Sequence, residues 1–294
     1  MTVPVTIENE ALRLEVWPQF GGKVSSMVDK ADGHELMFSF PLEMPTRCQY
    51  GTTYANGWFA GWDECFPGVD SGTYPLHPYE NVQVPDHGEL WALPTTAVPT
   101  RDGITVVWHG LRFGYRLTRK LFLEGPAVVA EYTLINLAPF EFRFGWSLHA
   151  LLSTVSPLTI DLGTTAHLRD GNGDGETVWP TLDLATSFTR SDELPAGQAW
   201  KRFTADPIAA TARVAYPQRQ RRLDVSFSSD TDVSAYWGVW INSGGWEGHR
   251  HVALQPTTSR SDDLRRSIAD GSAGRVGPGG RVDWAVRMTV GAEE

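Results

Sequence analysis

The sequence predicts an all-β fold, a sandwich or a barrel, and three observations carry that expectation. Apolar residues recur with period two in many short segments between Val3 and Val290. Turn residues separate these segments at near-regular intervals, as in Arg101-Asp102-Gly103, Glu124-Gly125-Pro126 and Asn136-Leu137-Ala138-Pro139. The chain holds 29 Gly and 19 Pro in 294 residues, a composition that favours turns over long helices.

Taken in order, residues 3–17 alternate through Val3, Val5, Ile7, Leu12, Leu14 and Val16, with a turn at Glu8-Asn9-Glu10. Phe20-Gly21-Gly22-Lys23-Val24 bends into a further strand, and Asp29 to His34 makes a turn before Leu36-Met37-Phe38. Residues 39–86 have little periodicity and are rich in Pro, Gly and aromatics. A structureless stretch of that length reads as an insert lying across a sheet and walling a pocket. Strand patterning returns at Leu90-Trp91-Ala92-Leu93, Ala97-Val98, Ile104-Trp108, Tyr115-Leu121, Val128-Leu134 and Phe142-Leu148. It continues at Leu223-Phe227, Ala235-Ile241, His251-Leu254 and Trp284-Val290. The one helix-like stretch runs from Asp262 to Ala269. No linker divides the chain and no repeat is visible, so residues 1–294 read as a single domain.

Charge narrows the partners. A net charge of −10 and 41% hydrophobic residues describe a globular chain with a sizeable core. The acidic balance argues against nucleic acid or an anionic membrane surface. Met1-Thr2-Val3-Pro4-Val5-Thr6 has neither a basic nor an apolar leader region, and no apolar run approaches a membrane span. Two cysteines, Cys48 and Cys65, do not make a disulfide framework. The expectation is a cytoplasmic protein with reduced thiols.

The densest chemistry lies in Pro85-Asp86-His87-Gly88-Glu89-Leu90-Trp91. It places an imidazole, two carboxylates and an indole within seven residues. Histidine moves protons near neutral pH, and an indole makes a flat wall for a sugar ring. Trp62-Asp63-Glu64 offers the same pairing, with carboxylates as acceptors for hydroxyls beside an aromatic face. Asp170-Gly171-Asn172-Gly173-Asp174-Gly175 has the spacing of half a calcium loop. Its twelfth position is Thr181, however, and no helices flank it, so a surface turn is the preferred reading. His249 and His251 would share a strand face, yet two ligands are too few for a metal centre. No phosphate loop, Cys-x-x-Cys pair or Gly-x-Ser-x-Gly elbow is present, and the motifs imply neither metal nor cofactor.

Four segments, in order, resemble the aldose 1-epimerase (galactose mutarotase-like) superfamily. They are Gly21-Gly22-Lys23-Val24-Ser25-Ser26 with Gly33-His34-Glu35-Leu36, Pro85-Asp86-His87-Gly88, Trp146-Ser147-Leu148-His149, and Val252-Ala253-Leu254-Gln255-Pro256-Thr257-Thr258. Pro278-Gly279-Gly280-Arg281-Val282-Asp283-Trp284 is similar to the closing strands. The resemblance implies a large β-sandwich with a sugar site in a groove. It also implies a small-molecule sugar substrate whose anomers interconvert by acid/base ring opening. His149 then falls on the general acid and His87 on the substrate-binding histidine.

Gln255 falls on the catalytic glutamate, and an amide cannot take a proton. Another carboxylate must serve, with Asp63, Glu64, Glu89 and Glu247 as candidates, or the chain does not turn over. The family's further acidic residue is open among Asp161, Asp170, Asp174, Asp183, Asp230 and Asp232. The expected site is therefore His149, His87 and Gln255, with Asp63, Glu64, Glu89, Trp62 and Trp91 holding the sugar. The alternatives to an isomerase are a non-catalytic sugar-binding protein and a lyase or glycoside-cleaving enzyme on the same fold.

Overall fold

The computed structural model describes residues 3–40, 47–170, 176–179, 190–209 and 211–293. The alternating segments pair into two large antiparallel sheets. The eleven-stranded sheet carries, from one edge, Val5–Glu8, Leu12–Trp17, Lys23–Asp29, Trp62–Cys65, Ser147–Ser153, Arg250–Thr257, Tyr236–Ser243, Gln198–Thr204, Ala166–Asp170 and Glu176–Trp179. The short strand His34–Glu35 pairs on Lys23–Asp29. The eight-stranded sheet runs Thr159–Asp161, Ala212–Tyr216, Arg221–Ser228, Arg281–Ala292, Ala127–Asn136, Tyr115–Glu124, Gly103–His109 and Thr96–Pro99. Val24, Trp62, Leu148, Trp237 and Val252 from the first sheet meet Val106, Leu117, Tyr132 and Trp284 from the second in one buried core. The all-β sandwich read from the sequence is the observed architecture.

Two local expectations are corrected. Residues 39–86 are not wholly an overlying insert, because Trp62–Cys65 is an inner strand. It pairs with Lys23–Asp29 at Val24↔Trp62 and with Ser147–Ser153 at His149↔Asp63. All four of its residues are buried, so neither face is solvated and no alternation marks it. Leu90-Trp91-Ala92 forms a single 3-10 turn rather than a strand. The helix read at 262–269 is observed as Leu264–Ala269, where the Asp263 side chain caps the Arg265 N–H. The 171–175 segment of the calcium-like loop, with Thr181, lies outside the described residues. Both cysteines are free thiols, and among the described residues no helix is long and apolar enough to cross a membrane.

A buried ion pair joins the two sheets. Glu64 on Trp62–Cys65 accepts from Arg119 Nη1 at 2.8 Å, across the sandwich on Tyr115–Glu124. The same carboxylate accepts from Trp62 Nε1 at 3.0 Å, Tyr132 Oη at 2.8 Å and Trp146 Nε1 at 2.8 Å. Arg119 also donates to the Gly22 carbonyl and lies over the rings of Trp62 and Trp108. A charge removed from water is tolerated only when it is paired and saturated in this way. Deleting one partner strands the other, so Glu64→Ala is expected to lower the unfolding free energy in urea by about 3–5 kcal/mol. A loss below about 1 kcal/mol would show that this pair does not couple the sheets.

Candidate functional site

Strand geometry places the site. Side chains alternate along a strand, so with Glu64 facing the core, Asp63 faces the other side of the sheet. The register then builds a row across that face. Lys23 stands beside Asp63, and Asp63 is paired with His149. The flanking pairs Ser147↔Thr257 and Leu151↔Ala253 set His149 opposite Gln255, which is paired with Gly238. Two residues along, Leu151, Ala253, Trp240 and Lys201 make a second row.

Loops complete a cavity of about 240 Å³ over this floor. It is lined by Tyr54, Val69, Asp70, His87, His149, Lys201, Trp240, Trp246, His251 and Asp262. His87 and His149, distant in the chain, come together with ring centroids 4.9 Å apart and planes nearly perpendicular. Tyr54 stacks on His87 at 3.9 Å and places its hydroxyl 3.4 Å from His149 Nδ1. Asp86 ties the loop down, with Oδ1 2.7 Å from His87 Nδ1 and Oδ2 accepting the Tyr54 N–H at 2.8 Å. His87 itself has φ 58°, a left-handed conformation that a side chain adopts at a cost of order 1 kcal/mol. Gly88 follows at φ 74°, where a Cβ would sit 2.2 Å from the Phe66 carbonyl oxygen. Only glycine fits there.

Electrostatics follow from burial. The His149 imidazole is held well below its ordinary pKa, first by burial and then by the charge of His87. Burial also pushes His251 down to about 3. Its Nε2 accepts from Trp240 Nε1 at 3.1 Å, while its Nδ1 is buried without a partner among the described residues. Burial, reinforced by Asp262, lifts Asp70 to about 6. Asp262 pairs with Lys201 at 2.6 Å through Oδ2 and leaves Oδ1 without a partner among the described residues. Asp86 lies below the usual carboxylate range. Burial would raise it, but the hydrogen bond and charge of His87 and the Tyr54 N–H outweigh that.

Other residues expected from the sequence stand elsewhere. Trp62 and Glu64 belong to the core between the sheets. Glu89 is fully buried behind the site and accepts from Tyr50 Oη and the Arg112 N–H. Trp91 packs edge-on behind Tyr54 at 5.1 Å and donates to the Asp86 carbonyl. Trp240 and Trp246 take the place expected of Trp62 and Trp91 on the wall. Asp63 lies below the cavity, where it accepts from Lys23 and from Tyr54 Oη at 2.7 Å. Gln255 is fully buried, with neither amide atom partnered among the described residues.

Glu247 is exposed. Asp161, Asp230 and Asp232 are exposed as well, and the side chains of Asp170, Asp174 and Asp183 lie outside the described residues. The cavity's carboxylates are Asp70 and Asp262, from irregular segments that no sequence period marks. His249 and His251 both contact Phe38, and the described residues contain no cluster of three groups able to hold a metal.

No protein-family model matches the chain, and no curated protein matches it in sequence. Solved structures do match over its whole length. The Slr1438 protein of Synechocystis is 17% identical, with 100% of this chain and 97% of that one covered and a TM-score of 0.75. A galactose mutarotase related enzyme from Lactobacillus acidophilus is 13% identical, with 99% and 98% covered and a TM-score of 0.72. A galactose mutarotase-like protein from Lactobacillus casei is 17% identical, with 98% and 100% covered and a TM-score of 0.70. At these identities the likeness establishes the fold.

Asp70 gives the site a pH signature in stability. Its carboxyl holds its proton more tightly folded, at about 6, than unfolded, near the ordinary 3.8. Stability therefore falls as pH rises from about 4 to about 6 and stays lower above that. Asp70→Asn is expected to stabilise the protein at pH 8 by of order 1 kcal/mol, allowing for the partial exposure of the group, and to do little at pH 4. Melting temperatures at both pH values check this. An equal shift at both would mean that the ionised carboxylate carries no cost.

Proposed function

From this fold and this cavity, we propose that the protein binds a monosaccharide beside His87 and His149 and interconverts its anomers. The observation that carries the reading is the convergence of two imidazoles on one small cavity with aromatic walls. Around them His251 Nδ1 and Asp262 Oδ1 are unpartnered among the described residues. A buried polar group without a partner is costly, and a ring bearing several hydroxyls supplies partners. Trp240 and Trp246 offer flat apolar faces to the same ring. The names of two fold relatives, a galactose mutarotase related enzyme and a galactose mutarotase-like protein, support the same chemistry.

Anomer exchange requires one group to take the anomeric hydroxyl proton while another gives a proton to the ring oxygen. Gln255 can do neither. That observation favours a second reading, sugar binding without turnover on the same scaffold.

Anomer exchange followed by NMR, across free and phosphorylated aldoses, separates the two. Acceleration of at least one sugar is expected, falling about a hundred-fold or more in His149→Ala. Gln255→Glu is expected to keep or raise it. Binding without exchange for every sugar would reject the isomerase and leave the binding protein. Neither binding nor exchange would reject both and turn attention to a lyase or a glycoside-cleaving enzyme.

A further inference from the structure

We infer that Tyr54, held by Asp63 and Lys23, is a positioning residue that fixes the proton of His149 on Nδ1, making His149 the proton acceptor of the reaction and His87 its donor. The role assignment rests on the anomer-exchange reading. The tautomer does not.

The argument starts from one hydroxyl proton. Tyr54 Oη lies 2.7 Å from Asp63 Oδ2 and 3.4 Å from His149 Nδ1. Asp63 faces the Lys23 ammonium, and Lys23 is anchored further by the Ala60 carbonyl at 2.7 Å. A carboxylate in an ion pair only accepts, so the short contact takes the Tyr54 proton. The tyrosine then turns a lone pair toward His149 Nδ1. Two lone pairs repel, so Nδ1 must carry the hydrogen. In a neutral imidazole the other nitrogen is then bare. Burial keeps His149 neutral. Among the described residues nothing is hydrogen-bonded to its Nε2, and its ring lines the cavity. The site therefore presents an unprotonated nitrogen where the sequence suggested an acid.

His87 is held by a carboxylate rather than by a hydroxyl. Its Nδ1 faces Asp86 Oδ1 at 2.7 Å, and that carboxylate is itself fixed by the Tyr54 N–H. The carboxylate fixes a hydrogen on Nδ1, so the proton that this ring exchanges with a ligand is the one on Nε2.

The step balances without a further reactant. The anomeric O–H bond breaks and its proton goes to His149 Nε2. The C1–O5 bond breaks as C1=O1 forms, and O5 takes the proton from His87 Nε2. Rotation about C1–C2 and the reverse transfers close the ring on its other face. One positive charge moves from His87 to His149 and back, so the pair never holds two. No carboxylate base is needed, and an amide at 255 is compatible with turnover.

Long-range nitrogen–proton spectra of the unliganded wild-type protein, with imidazole nitrogens labelled, test the tautomer without variant or sugar. His149 protonated on Nδ1 is expected at neutral pH. A proton on Nε2 overturns the inference. In Tyr54→Phe the fixed tautomer is expected to give way to a mixture. With an aldose that exchanges, that variant should lose about ten-fold or more in kcat with KM within two-fold, and His87→Asn should lose still more kcat. Unchanged kcat in either variant, or a change confined to KM, overturns the assigned roles. Absence of exchange with every aldose removes those roles together with the reading beneath them.

Discussion

The Glu64 carboxylate is the constraint on which the site depends. Four donors meet it at one buried point, from Arg119, Tyr132, Trp62 and Trp146. A strand carrying a charge into the core can be placed in one register only. A slip of one residue would put the shorter Asp63 side chain into the sandwich and Glu64 on the outer face. The ion pair thus does more than hold two sheets together. By pinning Trp62–Cys65 it fixes Asp63 on the outer face, beside Lys23 and paired with His149.

From Asp63 outward the row is a sequence of size and charge matches. Lys23 is nearly fully buried, and burial lowers its pKa although Asp63 opposes that shift. The pair holds its place by neutralising itself. His149 follows, neutral, and then Gln255, also neutral. Gly238 closes the row, where a Cβ would lie 3.0 Å from Phe203 and 3.2 Å from Gln255 Oε1. A side chain there would press the amide toward His149. The floor is rigid because it is sheet, and the walls are loops, the usual division between scaffold and site. The groups around the cavity bear a cost: Asp70 is a half-buried carboxylate, and His251 Nδ1, at the strand Arg250–Thr257, and Asp262 Oδ1 are without partners among the described residues. Each is a cost that a bound polar ligand would relieve.

What could be read from the sequence follows the same division. Strands with one solvated face declare themselves by alternation, and Tyr115–Glu124, Ala127–Asn136 and Arg281–Ala292 did so. Trp62–Cys65 did not, since both its faces are buried and its acids mimic a solvated turn. His87 and His149 were legible through their surrounding motifs. Asp70 and Asp262 were not, because they converge through loop paths that no period encodes, and Lys201 was not, because nothing in its strand marks which partner it meets. Trp62 and Trp91 misled for a related reason. Sequence proximity to an acid or a histidine says nothing about which face an indole takes, and both indoles turned inward to satisfy their N–H groups.

Gln255 is the remaining departure, and the row gives it a physical sense. A glutamate at 255 would put a second buried carboxylate on the face that already holds Asp63, with Lys23 already engaged. The group opposite it in the sheet is His149, which would then be drawn toward its charged form. Such a floor holds an anion and an imidazolium side by side, a base and an acid. With glutamine the anion is gone, and burial and His87 leave His149 neutral. His87 faces a carboxylate of its own, Asp86 Oδ1 at 2.7 Å. The amide and the neutral imidazole are one change expressed at two positions, and Tyr54, touching His87 by its ring and His149 by its hydroxyl, spans both.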